Sequence, residues 1–274
     1  MIPASFDYEV ADSVDHAIEL LGSGPDAKLI AGGHSLLPLM RLRLARPELL
    51  VAIGRLSDLS YVREDGDAIA IGALTRYRDL EQDELLRAEC PLLAAAVATI
   101  GDPQVRHRGT IGGSVAHSDP ASDAPTVLLA LDAELVVKGP GGERRLPVAD
   151  SFAGFLQSAL DPQEVLTEIR VGKAGGAGWS HQKMTRRAQD WATVGVVAVA
   201  SNGGAHVALT NMGSTVLRAS GVEEALSSGA EPAAAAERAA EGTSPPSDHN
   251  ASAEYREHLA RVLTRRALEE ALAG

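Results

Sequence analysis

Two glycine-rich stretches, AGGHSLLPLM at 31–40 and QVRHRGTIGGSVAHSDPASD at 104–123, decide how the rest of the chain is read. Each places glycines beside small polar residues, a composition that lets successive backbone amides approach a phosphate. Lys28, Leu29 and Ile30 read as the end of a strand, after which Gly32 and Gly33 allow a ligand close to the main chain. Ser35 to Leu44 then continues as a short helix whose first-turn N–H groups face an anion. In the second stretch Gly109, Gly112 and Gly113 free the backbone, while Thr110 and Ser114 add hydroxyls. One such turn binds a phosphate weakly; two suit a pyrophosphate. Glycine pairs also mark ordinary turns, which is the competing reading of either stretch alone. Neither GxGxxG after a first strand nor GxxxxGKS/T is present, so a Rossmann domain and a P-loop are both unsupported.

Composition narrows the partners. The 274 residues suffice for two or three lobes, each with its own core. Aromatics make up only 3%, so those cores are built from Ala, Val, Leu and Ile. A formal charge of −12 opposes nonspecific nucleic-acid binding, and any anion site has to be local. Cys90 is the only cysteine, which excludes an intrachain disulfide and a thiolate-held iron–sulfur cluster on this chain alone. The eight histidines form no HxxxH-type pair, so a protein-ligated metal is not expected. No run approaches the ~20 apolar residues of a membrane span, and no signal peptide is read at the start, so the expected location is cytoplasmic.

Along the chain, Ser13 is expected to cap a helix in which Val14, Ala17, Ile18 and Leu21 share a face. Residues 50–53 and 68–71 read as buried strands, with Thr75 as the cap of a helix over 76–87. Pro91–Ile100 and Pro125–Leu131 read as helices, and Glu134–Lys138 as a strand entering the turn GPGG. KAGGAG at 173–178 is the expected boundary of a last domain. Beyond it Trp179–Met184, Thr193–Ala200 and Ala205–Thr210 form an antiparallel sheet, the last two joined through SNGG. Tyr255, Leu259, Val262 and Leu263 mark the inward stripe of a terminal helix.

With KMTRRAQDWATVG at 183–195 added to the two glycine stretches, the chain resembles the FAD-binding subunit of the molybdenum hydroxylases, and most closely the medium subunit of carbon monoxide dehydrogenase type enzymes. The resemblance covers nearly the whole chain. It implies an α+β fold with the two-subdomain FAD-binding arrangement of vanillyl-alcohol oxidase and p-cresol methylhydroxylase, here 1–56 and 57–173. A C-terminal domain with an antiparallel sheet follows at 178–274. By the same resemblance Ala31, Gly32, Gly33, His34, Ser35 and Leu36 cradle part of the FAD. Thr110, Ile111, Gly112, Gly113 and Ser114 form a second cradle acting mainly through N–H groups, with Ala116 and His117 at its edge. His34 is open to three roles: noncovalent contact, the covalent attachment found in related oxidases, or a structural one. Asp123, in DPASD, either accepts from ribose or ribityl hydroxyls or caps the helix that follows. Arg106 and Arg108 are candidates to offset diphosphate charge. Leu166 contacts the adenine or a ring edge. Lys183 stands near the isoalloxazine, where a cation favours added negative charge. Arg187 and Asp190 belong to the same pattern, and Trp191 either stacks on the flavin or lies in the core of the last domain.

The function implied is electron transfer: noncovalent FAD here receives electrons from iron–sulfur clusters and passes them to an external acceptor (quinone, NAD or oxygen). The molybdenum cofactor belongs to a large partner and the 2Fe–2S clusters to a small one, in a dimer of heterotrimers that can lie peripherally on the inner membrane face. Two alternatives stand beside it, a self-contained flavin oxidoreductase and a non-enzymatic scaffold.

Overall fold

The computed structural model describes residues 1–24 and 26–273, and its strands sort into three larger sheets and one two-stranded ribbon. The first sheet is parallel, with Leu49–Ala52 between Asp7–Val10 and Ala27–Ile30. Parallel strands need crossover connections, and helix Val14–Gly22 supplies the one between the two outer strands. Ser13 caps it, accepting the His16 amide at 3.1 Å, and Ala17, Ile18 and Leu21 are buried. After the first glycine loop the chain forms helix Leu36–Arg41, shorter than the expected 35–44. Arg43 takes a positive φ of 61°, which a continuing helix does not allow.

The second sheet is antiparallel in the order Val62–Asp65, Ala68–Gly72, Val165–Gly172, Glu134–Gly139, Gly142–Pro147. Its central strand, 165–172, carries no clear strand signal in the sequence because Glu168 and Arg170 interrupt the apolar run. The fold turns them onto one face, where Glu168 accepts from the Tyr61 hydroxyl at 2.6 Å and from Arg63 and Arg170 at 3.0 Å each. Thr75 does not cap a helix. Its hydroxyl is drawn back to Tyr61, accepting from the amide and donating to the carbonyl at 3.0 Å each. The expected helix over 76–87 divides into Tyr77–Gln82 and Glu84–Glu89, and Asp83 caps the second through the Leu86 amide.

In the third sheet Trp179–Met184, Val194–Ser201 and Gly204–Thr210 run antiparallel as expected, with Leu217–Arg218 on the far edge. Helix Ala253–Ala271 covers one face. The inward stripe is rotated from the expected one: Tyr255 is 46% exposed, and Arg256, 1% exposed, takes the buried place beside Leu259 and Leu263. The other face receives helix Asp123–Ala130, every residue of which is buried. Its Thr126 hydroxyl accepts from Thr210 at 2.8 Å and donates to the Ser122 carbonyl at 3.0 Å. Among the described residues no helix is long and apolar enough to cross a membrane.

The second glycine stretch is the start of a helix rather than a loop. Ile111–His117 is helical, and Thr110 caps it by accepting the Gly113 amide at 3.2 Å. Gly112 is the contact point with the second sheet, since a Cβ there would stand 2.6 Å from Ala73 Cβ and 2.7 Å from the Ala73 oxygen. Gly112→Ala is therefore expected to overpack this junction and lower stability by about 1–3 kcal/mol in urea unfolding. An unchanged midpoint would show that the helix lifts from Ala73 without cost.

Candidate functional site

The three sheets leave a cleft of about 960 Å³ between them. It is walled by the first glycine loop, one side of helix 111–117, the start of helix 123–130, the 156–160 turn, Leu166, Lys183 and residues 189–191. Of the sixteen residues expected at a site, all line this cleft except Ile111. That side chain is fully buried in the main apolar cluster beneath it. The two glycine stretches, some 75 residues apart in sequence, touch at Gly32. A Cβ at Gly32 would fall 2.1 Å from the Arg108 carbonyl oxygen, so only glycine permits this approach.

The two stretches differ in what their amides are free to do. Ile111 N–H donates to Thr75 O at 3.1 Å, Gly112 to Ala73 O at 2.9 Å, Gly113 to the Thr110 hydroxyl and Ser114 to Thr110 O at 3.1 Å. Four of the five amides expected in the second cradle are thus engaged in anchoring the helix, and of that set only the Thr110 amide meets no acceptor among the described residues. By contrast, the amides of Gly32, Gly33, His34, Ser35 and Leu36 meet no acceptor among the described residues. Gly33 has a φ of 78°, the left-handed conformation that in a nest lets consecutive N–H groups turn toward one side. Such a run of open donors is what an anion nest requires.

At the other end of the cleft Lys183 and Asp123 form a closed pair. Lys183 Nζ lies 2.7 Å from Asp123 Oδ2 and donates to Thr99 O at 3.1 Å, with both side chains under 10% exposed. Asp123 does not cap its helix; Ser122 holds the cap position, and no side-chain cap bond is made. Nor is Lys183 a free cation toward the cleft, because its charge is balanced at contact distance. His181, on the same strand face, is buried, and loss of hydration pulls its pKa below the ordinary value. His117 lines the cleft and is also shifted down by burial. Removing Lys183 alone leaves a buried, unbalanced carboxylate, so Lys183→Met is expected to cost about 3–5 kcal/mol. Lys183→Met with Asp123→Asn should recover most of that loss in urea unfolding; equal losses in both variants would mean that the pair is not coupled.

Trp191 is not core: it is 58% exposed on the rim of the cleft. The peptide after it is tied from behind. Asn211 Nδ2 donates to Ala192 O at 2.8 Å, and Thr193 O accepts from the buried guanidinium of Arg256, which also holds Asp248 at 2.9 Å. The expected diphosphate arginines point elsewhere. Arg106 pairs with Glu81 at 2.9 Å, and neither Arg106 nor Arg108 lines the cleft. Arg187 pairs with Asp190 on the surface at 3.1 Å. Tyr77, Arg46 and the 156–160 turn line the cleft without having been expected there. No motif distinguishes them, and only the long-range packing brings them to the site.

Residues 4–174 match the model of the FAD binding domain in molybdopterin dehydrogenase. The chain belongs to that family. Residues 179–271 match the CO dehydrogenase flavoprotein C-terminal domain. The chain is therefore an FAD-binding flavoprotein subunit of the oxidoreductase class, and the expected fold holds. It is 42% identical to the carbon monoxide dehydrogenase medium chain of Hydrogenophaga pseudoflava, over 100% of this chain and 99% of that one. It is 40% identical to the 6-hydroxypseudooxynicotine dehydrogenase complex subunit alpha of Paenarthrobacter nicotinovorans, over 99% and 96%. The solved carbon monoxide dehydrogenase from H. pseudoflava, in a form lacking the Mo-pyranopterin moiety, superposes with a TM-score of 0.96 at 44% identity, covering 100% of this chain and 99% of that one.

Proposed function

We propose that the chain is the FAD-carrying electron-transfer subunit of a molybdenum hydroxylase complex, and that the nest at 32–36 receives the pyrophosphate of noncovalently held FAD. The observation that carries the assignment is the run of five amides without acceptors, opening into a cleft of about 960 Å³. Its remaining wall suits the rest of the molecule. Leu166, Leu156 and Leu160 offer apolar surface for a ring, and Trp191 offers an exposed aromatic face on the rim. Bound FAD supplies a carrier that exchanges electrons singly or in pairs. The chain's own groups have the tasks of holding and orienting. The nest meets the diphosphate, Ala31 and His34 flank it, and helix 111–117 acts as a rigid shelf presenting Ser114, Ala116 and His117. Lys183 and Asp123 act as one neutral unit.

The further reading follows the relatives. A large partner carries the molybdenum cofactor, a small partner carries 2Fe–2S clusters, and electrons pass from the latter through this chain to quinone, NAD or oxygen. A dimer of heterotrimers in the cytoplasm, peripheral to the membrane, is the arrangement we propose. We also propose the division into 1–56, 57–173 and 178–274, which the separation of the three larger sheets supports.

Acid precipitation of the purified chain is expected to release FAD into the supernatant in amounts matching the protein; flavin left in the pellet would instead mark covalent attachment at His34. Gly33→Asp places a carboxylate among the open amides and should weaken FAD binding about 100-fold, equivalent to about 2.8 kcal/mol, with the circular dichroism spectrum retained. Undiminished affinity would remove residues 32–36 from the pyrophosphate site.

A further inference from the structure

We infer that His181 is a positioning residue that couples proton uptake to negative charge in the cleft, acting through Asp123 and Lys183. The inference rests on the assignment of FAD to this cleft.

Two buried polar atoms here have no hydrogen-bond partner among the described residues, Asp123 Oδ1 and His181 Nε2. They face each other at 3.8 Å, and their side chains are 4% and 5% exposed. That separation is too long for a hydrogen bond and too short to seat a water between them. A movement of less than about 1 Å closes it into an N–H to O bond. The carboxylate is already committed on its other oxygen to Lys183 at 2.7 Å, so the pair is neutral and has one acceptor left over.

No other group in the surroundings bonds to that acceptor. On its own strand His181 is joined on this face by Lys183, and helix 123–130 contributes Asp123. Helix 77–82 contributes Tyr77 toward Asp123, a fully buried phenol held protonated because burial drives its pKa far up. Helix 91–97 is apolar throughout, and across the sheet His181 is paired with Val197. Glu270 of the terminal helix is engaged on the opposite face, by Ser180 at 2.5 Å and Gln182 at 2.9 Å. His181 is thus the one group of the cluster whose ordinary pKa lies near neutrality.

Burial keeps the imidazole neutral at pH 7, because its pKa is pulled below the ordinary 6.5. Negative charge added to the cleft offsets that penalty and raises the value. A solvent proton then binds at Nε2, the N–H closes on Asp123 Oδ1, and the cluster passes from neutral to one positive charge. The balance is one proton taken up at His181 for two electrons placed in the cleft. The uptake occurs between the pKa of His181 before the electrons arrive and its higher value afterwards.

The test is the midpoint potential of the FAD-loaded full chain as a function of pH, poised with dithionite against a reference dye, beside the ring ¹⁵N signal of His181. In the wild type the potential is expected to fall more steeply with pH inside the window than in His181→Gln, by one proton per two electrons, about 30 mV per pH unit. The ring signal should report protonation on reduction within the same window. In flavin-free protein it should titrate below pH 6.5, and lower still in Asp123→Asn. Equal slopes in wild type and His181→Gln, or a ring signal unmoved by reduction, would overturn the inference. If His181→Gln does not fold, the wild-type ring signal decides alone. Failure of any preparation to bind FAD would instead overturn the site assignment, and the coupling with it.

Discussion

Helix Asp123–Ala130 is buried on every side, and most of the molecule is arranged around satisfying it. A helix apolar all round has no solvent face and needs packing partners in every direction. It finds them in helix 91–97 on one side and in the third sheet on the other. The polar groups it carries inward are matched, save one oxygen of the Asp123 carboxylate. Thr126 meets Thr210, the Leu129 carbonyl accepts from Arg218 at 3.0 Å, and the carboxylate of its first residue meets Lys183. A negative residue at that end is also favoured by the helix dipole. The scarcity of aromatics fits this arrangement, since layers closing on a central helix from two sides are filled more easily by Ala, Val and Leu than by large rings.

The cleft is chemically polarised. The first glycine loop offers open amides, other parts of the wall offer apolar side chains and an indole, and Lys183 and Asp123 are paired with each other. Of the arginines, Arg46 lines the cleft, while Arg106 is paired with Glu81 and Arg187 with Asp190.

Much of this was legible in the sequence, and the failures share a cause. Helix 14–22, the first parallel strands and the C-terminal sheet follow from local periodicity and capping, which a linear reading captures. AGGHS was read correctly as a loop. TIGGS was not, because glycine looks the same whether its missing side chain makes room for a ligand or for Ala73. Strand 165–172 was hidden by charges that only its cross-strand neighbours explain. The partnership of Asp123 and Lys183, sixty residues apart, has no signature in either segment. Arg256 was invisible for the same reason. A basic residue on an amphipathic helix reads as solvent-facing until the buried carbonyl it serves is known.

That arginine also bears on how the molecule can be divided. The two matched family segments meet near residue 175, as if the last hundred residues were a detachable module. Yet the peptide beside Trp191 is anchored by a side chain from the last helix, and Lys183 closes the cleft from the same C-terminal unit. Cutting the chain at that junction would leave the N-terminal part with its open amides intact but one wall of the cleft missing and a bare carboxylate in its interior. Modularity in the sequence is here not modularity in the binding site, and shuffling of either segment among relatives is constrained by the need to re-create that wall.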